Sequence, residues 1–336
     1  MGISKLLDSS KTRQNFGTNY SLSDYADMIS DSRRVQPYLK ALKAAVKPGC
    51  TVLDLGAGTG FFSIMACRFG AGQVIAIEPN PANRIGREIA NANGFGDQIH
   101  WIENFSTEIE LDNLADLMIS DLRGSLPLFG FHLPSVLDAR RRLLAPDAIM
   151  IPASDHLFIA PVEVPSLYNR LCSSWAEKQY QLDLSASLRF QLNKMHKTRF
   201  RVEQLAGKPR CWLTLDYAEI EHASAVGTAN WLCNSARTVH GFALWFEADL
   251  GFSQGFTNSP EQPRLIYSQS FLPLTSPIDL EIGDRLNVQI DARWLNDSYV
   301  WRWKGALEQA GSKSIVFDQS TLAGKLFPTG WNTDRQ

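Results

Sequence analysis

A doubly wound α/β domain followed by a β-barrel domain that carries an inserted helical arm is the fold the sequence predicts. Three observations predict it. Up to residue 152, apolar runs of strand length alternate with helical periodicities, the pattern of a parallel sheet covered by helices. From 153 onward the alternation stops, and short apolar runs broken by Gly, Pro, Asn and Asp take over, as in a barrel or sandwich. Residues 166–200 interrupt those runs with a helical pattern, read here as an arm projecting from the second domain. The expected domains are therefore 1–152 and 153–336.

In chain order, residues 21–45 come first. Leu22, Tyr25, Met28 and Ile29 fall on one helical face, Tyr38, Leu39, Leu42 and Val46 continue it after Pro37, and Pro48-Gly49 ends it. Strands are expected at 51–55, 73–78, 99–103, 115–120 and 148–151, and helices at 61–69, 81–93 and 134–144. Ligands of such sheets bind at the carboxyl ends of the strands, so residues 56–60, Glu78, residues 106–108 and Asp121 share one rim. In the second half the strand-like runs are 156–162, 212–217, 241–246, 264–274, 285–290 and 299–303. Trp301 and Trp303 alternate with Val300 and Arg302, which puts both rings on one strand face, as barrel core.

Composition narrows the function classes. Lys plus Arg is 33 and Asp plus Glu is 35, a net −2, which argues against a partner held by bulk charge such as nucleic acid. The five cysteines are widely separated, so no C-x-x-C metal or redox motif forms and no metal is expected. No apolar run approaches the roughly 20 residues of a membrane span, and residues 1–6 carry no signal-peptide core. A cytoplasmic protein with no membrane partner is the expectation.

Residues 50–60 read Cys-Thr-Val-Leu-Asp-Leu-Gly-Ala-Gly-Thr-Gly, and Val-Ile-Ala-Ile-Glu follows at 74–78. Glycines after a strand let a ligand approach the backbone, and an acid at the tip of the next strand can bind both ribose hydroxyls of a nucleoside. The spacing is G-x-G-x-G rather than the dinucleotide G-x-G-x-x-G, and Asp54 precedes the first glycine. The combination resembles motif I of class I S-adenosylmethionine (SAM) methyltransferases, a Rossmann-like fold, and implies SAM as cofactor held by Asp54, Gly56, Gly58, Gly60 and Glu78. The order of parts over roughly 14–330 resembles the protein arginine methyltransferase family: N-terminal helices, a SAM-binding domain, a proline junction at Ile151-Pro152, then a barrel with an arm. The run Phe16, Met28, Ile29, Asp31, Arg34 and Tyr38 is similar to the family's SAM-covering helices, where the residue matching Arg34 binds the methionine carboxylate. Ser106, Thr107 and Glu108 fall on its adenine-contacting stretch, and Asp121 on its first catalytic glutamate. The arm's Leu167, Leu171, Trp175, Tyr180, Leu182 and Leu184 imply, by the same resemblance, a homodimer formed against another copy's SAM domain.

The departures concern the acceptor. The family holds its guanidinium between two glutamates, whose carboxylates pair with the planar cation. Here Asp121 is one methylene shorter, the second position falls on Gly130, and the loop between is apolar with one histidine, His132. The family's Thr-His-Trp loop, whose histidine pairs with the acid matching Asp31, is replaced by about Leu265-Ile266-Tyr267. Three readings stay open: arginine or guanidino methylation on a protein or small molecule with Asp121 as remaining clamp, helped by Glu103 or Glu108; transfer to a more apolar hydroxyl or amine, with His132 as general base; or a non-catalytic SAM-binding scaffold. The second is preferred. A basic stretch, Lys194, His196, Lys197, Arg199 and Arg201, is placed on the arm, and Arg140-Arg141-Arg142 at a solvated helix end.

Overall fold

The computed structural model describes residues 20–176, 180–309 and 315–324; Phe16 lies outside them. Two short helices lead in. Helix α1 (Leu22–Ser30) starts at a capping box in which Ser21 and Asp24 satisfy each other's backbone donors. Asp31 caps α2 (Ser32–Ala45), which runs through Pro37 and buries Val35, Tyr38, Ala41, Leu42 and Ala45.

The parallel sheet follows. Its strands are β1 (Thr51–Leu55), β2 (Gln73–Ile77), β3 (Ile99–Ile102), β4 (Ala115–Ser120) and β5 (Leu144–Ile151), in spatial order β3-β2-β1-β4-β5. Every pairing is parallel. The chain switches direction across the sheet between β1 and β4, the place where such sheets open a crevice beyond their strand ends. Helices α3 (Phe61–Arg68), α4 (Ala82–Ala92) and α5 (His132–Arg142) complete this half. Two expectations shift here. Helix α5 spans His132–Arg142 rather than 134–144, and the strand that follows begins at Leu144 rather than 148.

The second half is antiparallel. One sheet runs β7 (His196–Thr198), β12 (Gln269–Leu280), β10 (Arg237–Gly251), β6 (Ser154–Val162) and β8 (Arg210–Asp216), with β11 (Gln254–Thr257) on β10. The other runs β15 (Ile315–Ser320), β14 (Ser298–Glu308), β13 (Arg285–Leu295) and β9 (Ala225–Leu232). The two meet where β9 passes β8. A Cβ at Gly227 would lie 2.0 Å from the Trp212 carbonyl oxygen, so glycine is what allows that approach. Trp301 and Trp303 are buried in the shared core, and Trp303 donates its indole N–H to the Pro273 carbonyl at 3.1 Å. That core is continuous with the underside of the parallel sheet through Leu53, Ile75 and Met118. An apolar junction of this kind holds the two halves against each other.

Between β6 and β8, α6 (Pro165–Ala176) and α7 (Leu188–Leu192) form the arm. Leu167 and Leu171 pack back onto the barrel, while Tyr180 is 94% and Leu182 59% exposed. The basic stretch divides. Residues 196–198 pair with β12 as an edge strand, because backbone donors there find a ladder partner. The run expected at 264–274 likewise becomes strand only at 269, and 264–268 form a loop that reaches the site below. No helix among the described residues is long and apolar enough to cross a membrane.

Candidate active site

A cavity of about 520 Å³ opens beyond the carboxyl ends of β1, β2 and β4. Gly56, Gly58 and Gly60 all adopt left-handed φ, at 81°, 55° and 73°. Gly56 and Gly58 line the cavity; Gly60 stands behind it, packed against Trp101, and caps α3. Tyr25 of α1 covers this loop: a Cβ on Gly58 would meet its ring at 2.5 Å.

Two acids sit at this end. Asp54 accepts from the Ser63 hydroxyl at 2.6 Å, and burial pushes its pKa up to about 6. Glu78 accepts from the Gly58 and Asn80 amides at 2.8 and 2.7 Å, and burial raises it to about 7 against those hydrogen bonds. The stretch at 106–108 is a single 3₁₀ turn. Its predecessors Asn104 and Phe105, with Ser106, form the cavity wall, whereas Thr107 and Glu108 point to solvent and stand off it. Glu103 is also exposed and pairs with Arg84 at 3.3 Å. Thr107 and Glu108 differ from the sequence expectation because a 3₁₀ turn puts neighbours on opposite sides, and Glu103 because it pairs outward with Arg84.

At the other end Asp121 is the hub. Its side chain is 5% exposed. Oδ2 accepts from Arg34 Nε at 2.6 Å and from the Tyr267 hydroxyl, and Arg34 Nη2 approaches it to 2.5 Å. Oδ1 faces Arg123 Nε at 3.7 Å and makes no hydrogen bond. Burial alone would raise the Asp121 pKa, but Arg34 and Arg123 outweigh it and hold it below the usual carboxylate value. Arg34 also donates to the Met28 carbonyl at 3.0 Å, which ties the end of α1 to the site. Arg123 in turn reaches Asp155 at 3.2 Å, and Asp155 accepts from the Tyr217 hydroxyl, which pairs with His132 Nε2 at 2.8 Å.

His132 therefore differs from the loop base expected. It opens a helix, is 1% exposed and is held by Tyr217. Burial, then the nearby Arg123, depress its pKa to about 3. A base that weak is poorly matched to removing a proton at neutral pH. The sequence reading also missed Tyr267 and Arg123. Tyr267 comes from the loop that stands where the Thr-His-Trp motif was expected, and the same loop gives the Ile266 amide to Asp31 at 2.6 Å. Arg123 carried one available signal, a charge just after a strand tip in an otherwise apolar loop.

Comparisons with known proteins agree with this geometry. The family model for ribosomal protein L11 methyltransferase (PrmA) matches residues 36–122, which hold the glycine loop and strands β1 to β4. Protein arginine N-methyltransferase 6 of Xenopus laevis is 28% identical over 287 residues, 81% of this chain and 84% of the relative. Arginine N(omega)-methyltransferase of Streptomyces achromogenes subsp. streptozoticus is 29% identical over 278 residues, 78% and 74% of the two chains. The fold matches the Trypanosoma brucei PRMT1 enzyme–prozyme complex with AdoHcy at a TM-score of 0.80 and 22% identity, covering 88% of this chain and 97% of that one. Protein arginine methyltransferase 10 of Arabidopsis thaliana gives 0.79 at 21% identity, covering 91% and 98%. Fold, glycine loop and relatives together define a class I SAM-dependent methyltransferase. Within that class the chain is similar to arginine methyltransferases over most of its length.

Proposed function

We propose that this enzyme methylates a small-molecule N or O acceptor that is not a guanidinium, rather than the guanidino group of a protein arginine or of a free guanidino compound. The observation that carries the reading is that Asp121 is already engaged by two arginines of its own chain and by Tyr267. Gly130, on the cavity wall, offers no second carboxylate. The remaining acids of the wall, Asp54 and Glu78, are held by Ser63 and by two backbone amides. An incoming guanidinium would find no unshared carboxylate and a wall of Phe129 and Phe131, which disfavours an unpaired cation. Arginine methylation is the second reading, favoured by the names of the relatives, one of which is an arginine N(omega)-methyltransferase.

The cavity fits SAM: left-handed glycines leave room beside the backbone and Glu78 ends the neighbouring strand. By resemblance, Arg34 would hold the methionine carboxylate, Gly56 and Gly58 the close approach, and Glu78 the ribose. When bound, SAM supplies an electrophilic methyl on a sulfonium. Asp121 lines the cavity and its buried Oδ1 has no hydrogen-bond partner, so a substrate N–H or O–H reaching it would have its lone pair fixed in line. With its pKa held low, Asp121 orients a nucleophile rather than deprotonating it, and the acceptor's proton leaves to water once the methyl has been transferred.

The test offers labelled SAM to fractionated extract, with protein and small-molecule pools kept apart, alongside glycine-arginine repeat peptides. Label is expected in small molecules, with little or none in the peptides. Robust dimethylarginine formation would install the second reading in its place.

Glu78 makes a pH-dependent prediction. Its folded pKa of about 7 lies above its ordinary 4.5, so its stabilising contribution to the ligand-free protein is present below about 4.5 and is lost as pH rises through about 7. Ribose hydroxyls would donate to the ionised form, so S-adenosylhomocysteine affinity should rise with pH up to about 7 and then level. Glu78→Ala should flatten that rise and cost about 1.5–3 kcal/mol of binding at pH 8, read by calorimetry. An unchanged pH profile in the variant would remove Glu78 from the ribose role.

The arm is the proposed self-association element, because Tyr180 and Leu182 expose more apolar surface than a lone protrusion should. Tyr180→Glu with Leu182→Glu should sediment as a monomer where the parent forms a two-fold dimer. A parent already monomeric at micromolar concentration would dismiss this.

A further inference from the structure

Arg123 is the strangest residue of the site. It sits just after β4, its side chain 0% exposed, between Asp121 and Asp155, with Nη2 3.2 Å from Asp155. Its guanidinium carbon lies 5.2 Å from the Phe246 ring and 5.6 Å from the Phe256 ring. Two carboxylates flanked by aromatic faces are the surroundings that bind a guanidinium from solution. Yet none of the three Arg123 nitrogens makes a hydrogen bond. A structural arginine buried this deeply normally satisfies its fork. What the arrangement does accomplish is electrostatic: it places a fixed positive charge on the Oδ1 side of Asp121, the side that Arg34 and Tyr267 leave open.

We propose that Arg123 is a specificity residue, a built-in guanidinium that claims the carboxylates of the acceptor end and excludes cationic acceptors from Asp121. The proposal rests on the small-molecule reading above and gives it a cause. Arg34 and Tyr267 already take Oδ2, so a cationic acceptor could only use Oδ1, and there it meets a like charge at close range among buried side chains. A neutral N–H or O–H donor carries no such cost. The same residue thus selects by charge, without needing to touch the acceptor, and negative selection of this kind is a recognised route to specificity.

The test uses full-length protein saturated with S-adenosylhomocysteine, titrated calorimetrically with L-arginine and with its neutral analogue L-citrulline. Wild type should show no preference for L-arginine. Arg123→Met leaves Asp155 without its partner, so Arg123→Met/Asp155→Asn, which removes the pair as a unit, is measured beside it. Both variants should bind L-arginine about ten- to a hundredfold more tightly than wild type, the range of a charged hydrogen bond, with L-citrulline unchanged. Arg123→Lys, which keeps the charge, should behave as wild type. A purely structural role would shift both ligands together or neither. If wild type already prefers L-arginine, the small-molecule reading falls and this inference falls with it. If wild type discriminates but neither variant gains L-arginine, Arg123 is not the gate and the small-molecule reading stands.

Discussion

Asp121→Ala is expected to abolish methyl transfer, losing about 100-fold or more, and to destabilise the fold by about 3–5 kcal/mol. The two losses have different causes. The first follows from Oδ1 being the hub oxygen without a hydrogen-bond partner. The second follows because Arg34 and Arg123 are both buried and both lean on this one carboxylate. Removing it strands two charges where water cannot reach them, which costs far more than an exposed ion pair is worth. Tyr267→Phe separates the causes: it removes only the hydroxyl that donates to Oδ2, so it should cost about 1 kcal/mol of stability and leave measurable turnover. Label transfer and urea unfolding read the two quantities independently. Turnover surviving in Asp121→Ala would mean the chemistry happens elsewhere in the cavity.

Gly58→Val should lower S-adenosylhomocysteine affinity by about 100-fold, roughly 2.7 kcal/mol. The backbone there has φ of 55°, which disfavours any side chain by about 1–2 kcal/mol and a β-branched one further. The new Cβ would also stand 2.5 Å from the Tyr25 ring. Either the glycine loop rearranges or Tyr25 is pushed off it, and both disturb the cofactor's wall. Gly58→Ala combined with Tyr25→Ala isolates the backbone contribution, since the ring is then gone. Calorimetry of both variants is the measurement, and wild-type affinity in Gly58→Val would show that the ligand does not use this loop.

How much of this was legible in the chain depends on the range of the interaction involved. The parallel sheet was, because each strand carries its own apolar run and the turns between them carry their own Gly or Pro breakers. Asp54 and Glu78 were, because they sit at fixed offsets from Gly56 on adjacent strand tips. The acceptor end was not. Tyr267 meets Asp121 across the whole of the barrel's first half, and Asp155, Tyr217 and His132 come from three different elements; no local period announces such a cluster. Thr107 and Glu108 failed for the opposite reason. They are next to residues that line the cavity, and the 3₁₀ turn at 106–108 decides which of them face inward. The helix start at His132 moved that residue from an exposed loop to the core, and its chemistry changed with it.

Helix α1 has a consequence for how long a ligand stays. It buries no residue of its own, yet Tyr25 lies over the glycine loop and the Met28 carbonyl anchors Arg34. Helix α2, by contrast, is fastened twice over, by its core residues and by Asp31 accepting from Ile266 of the barrel. Segments with few buried apolar contacts open at a small fraction of the global unfolding free energy. The nine residues of α1 are therefore expected to open more readily than the sheet beneath. Weakening the capping box at Ser21 or removing the Tyr25 ring is therefore expected to shorten the dwell time of a bound nucleoside.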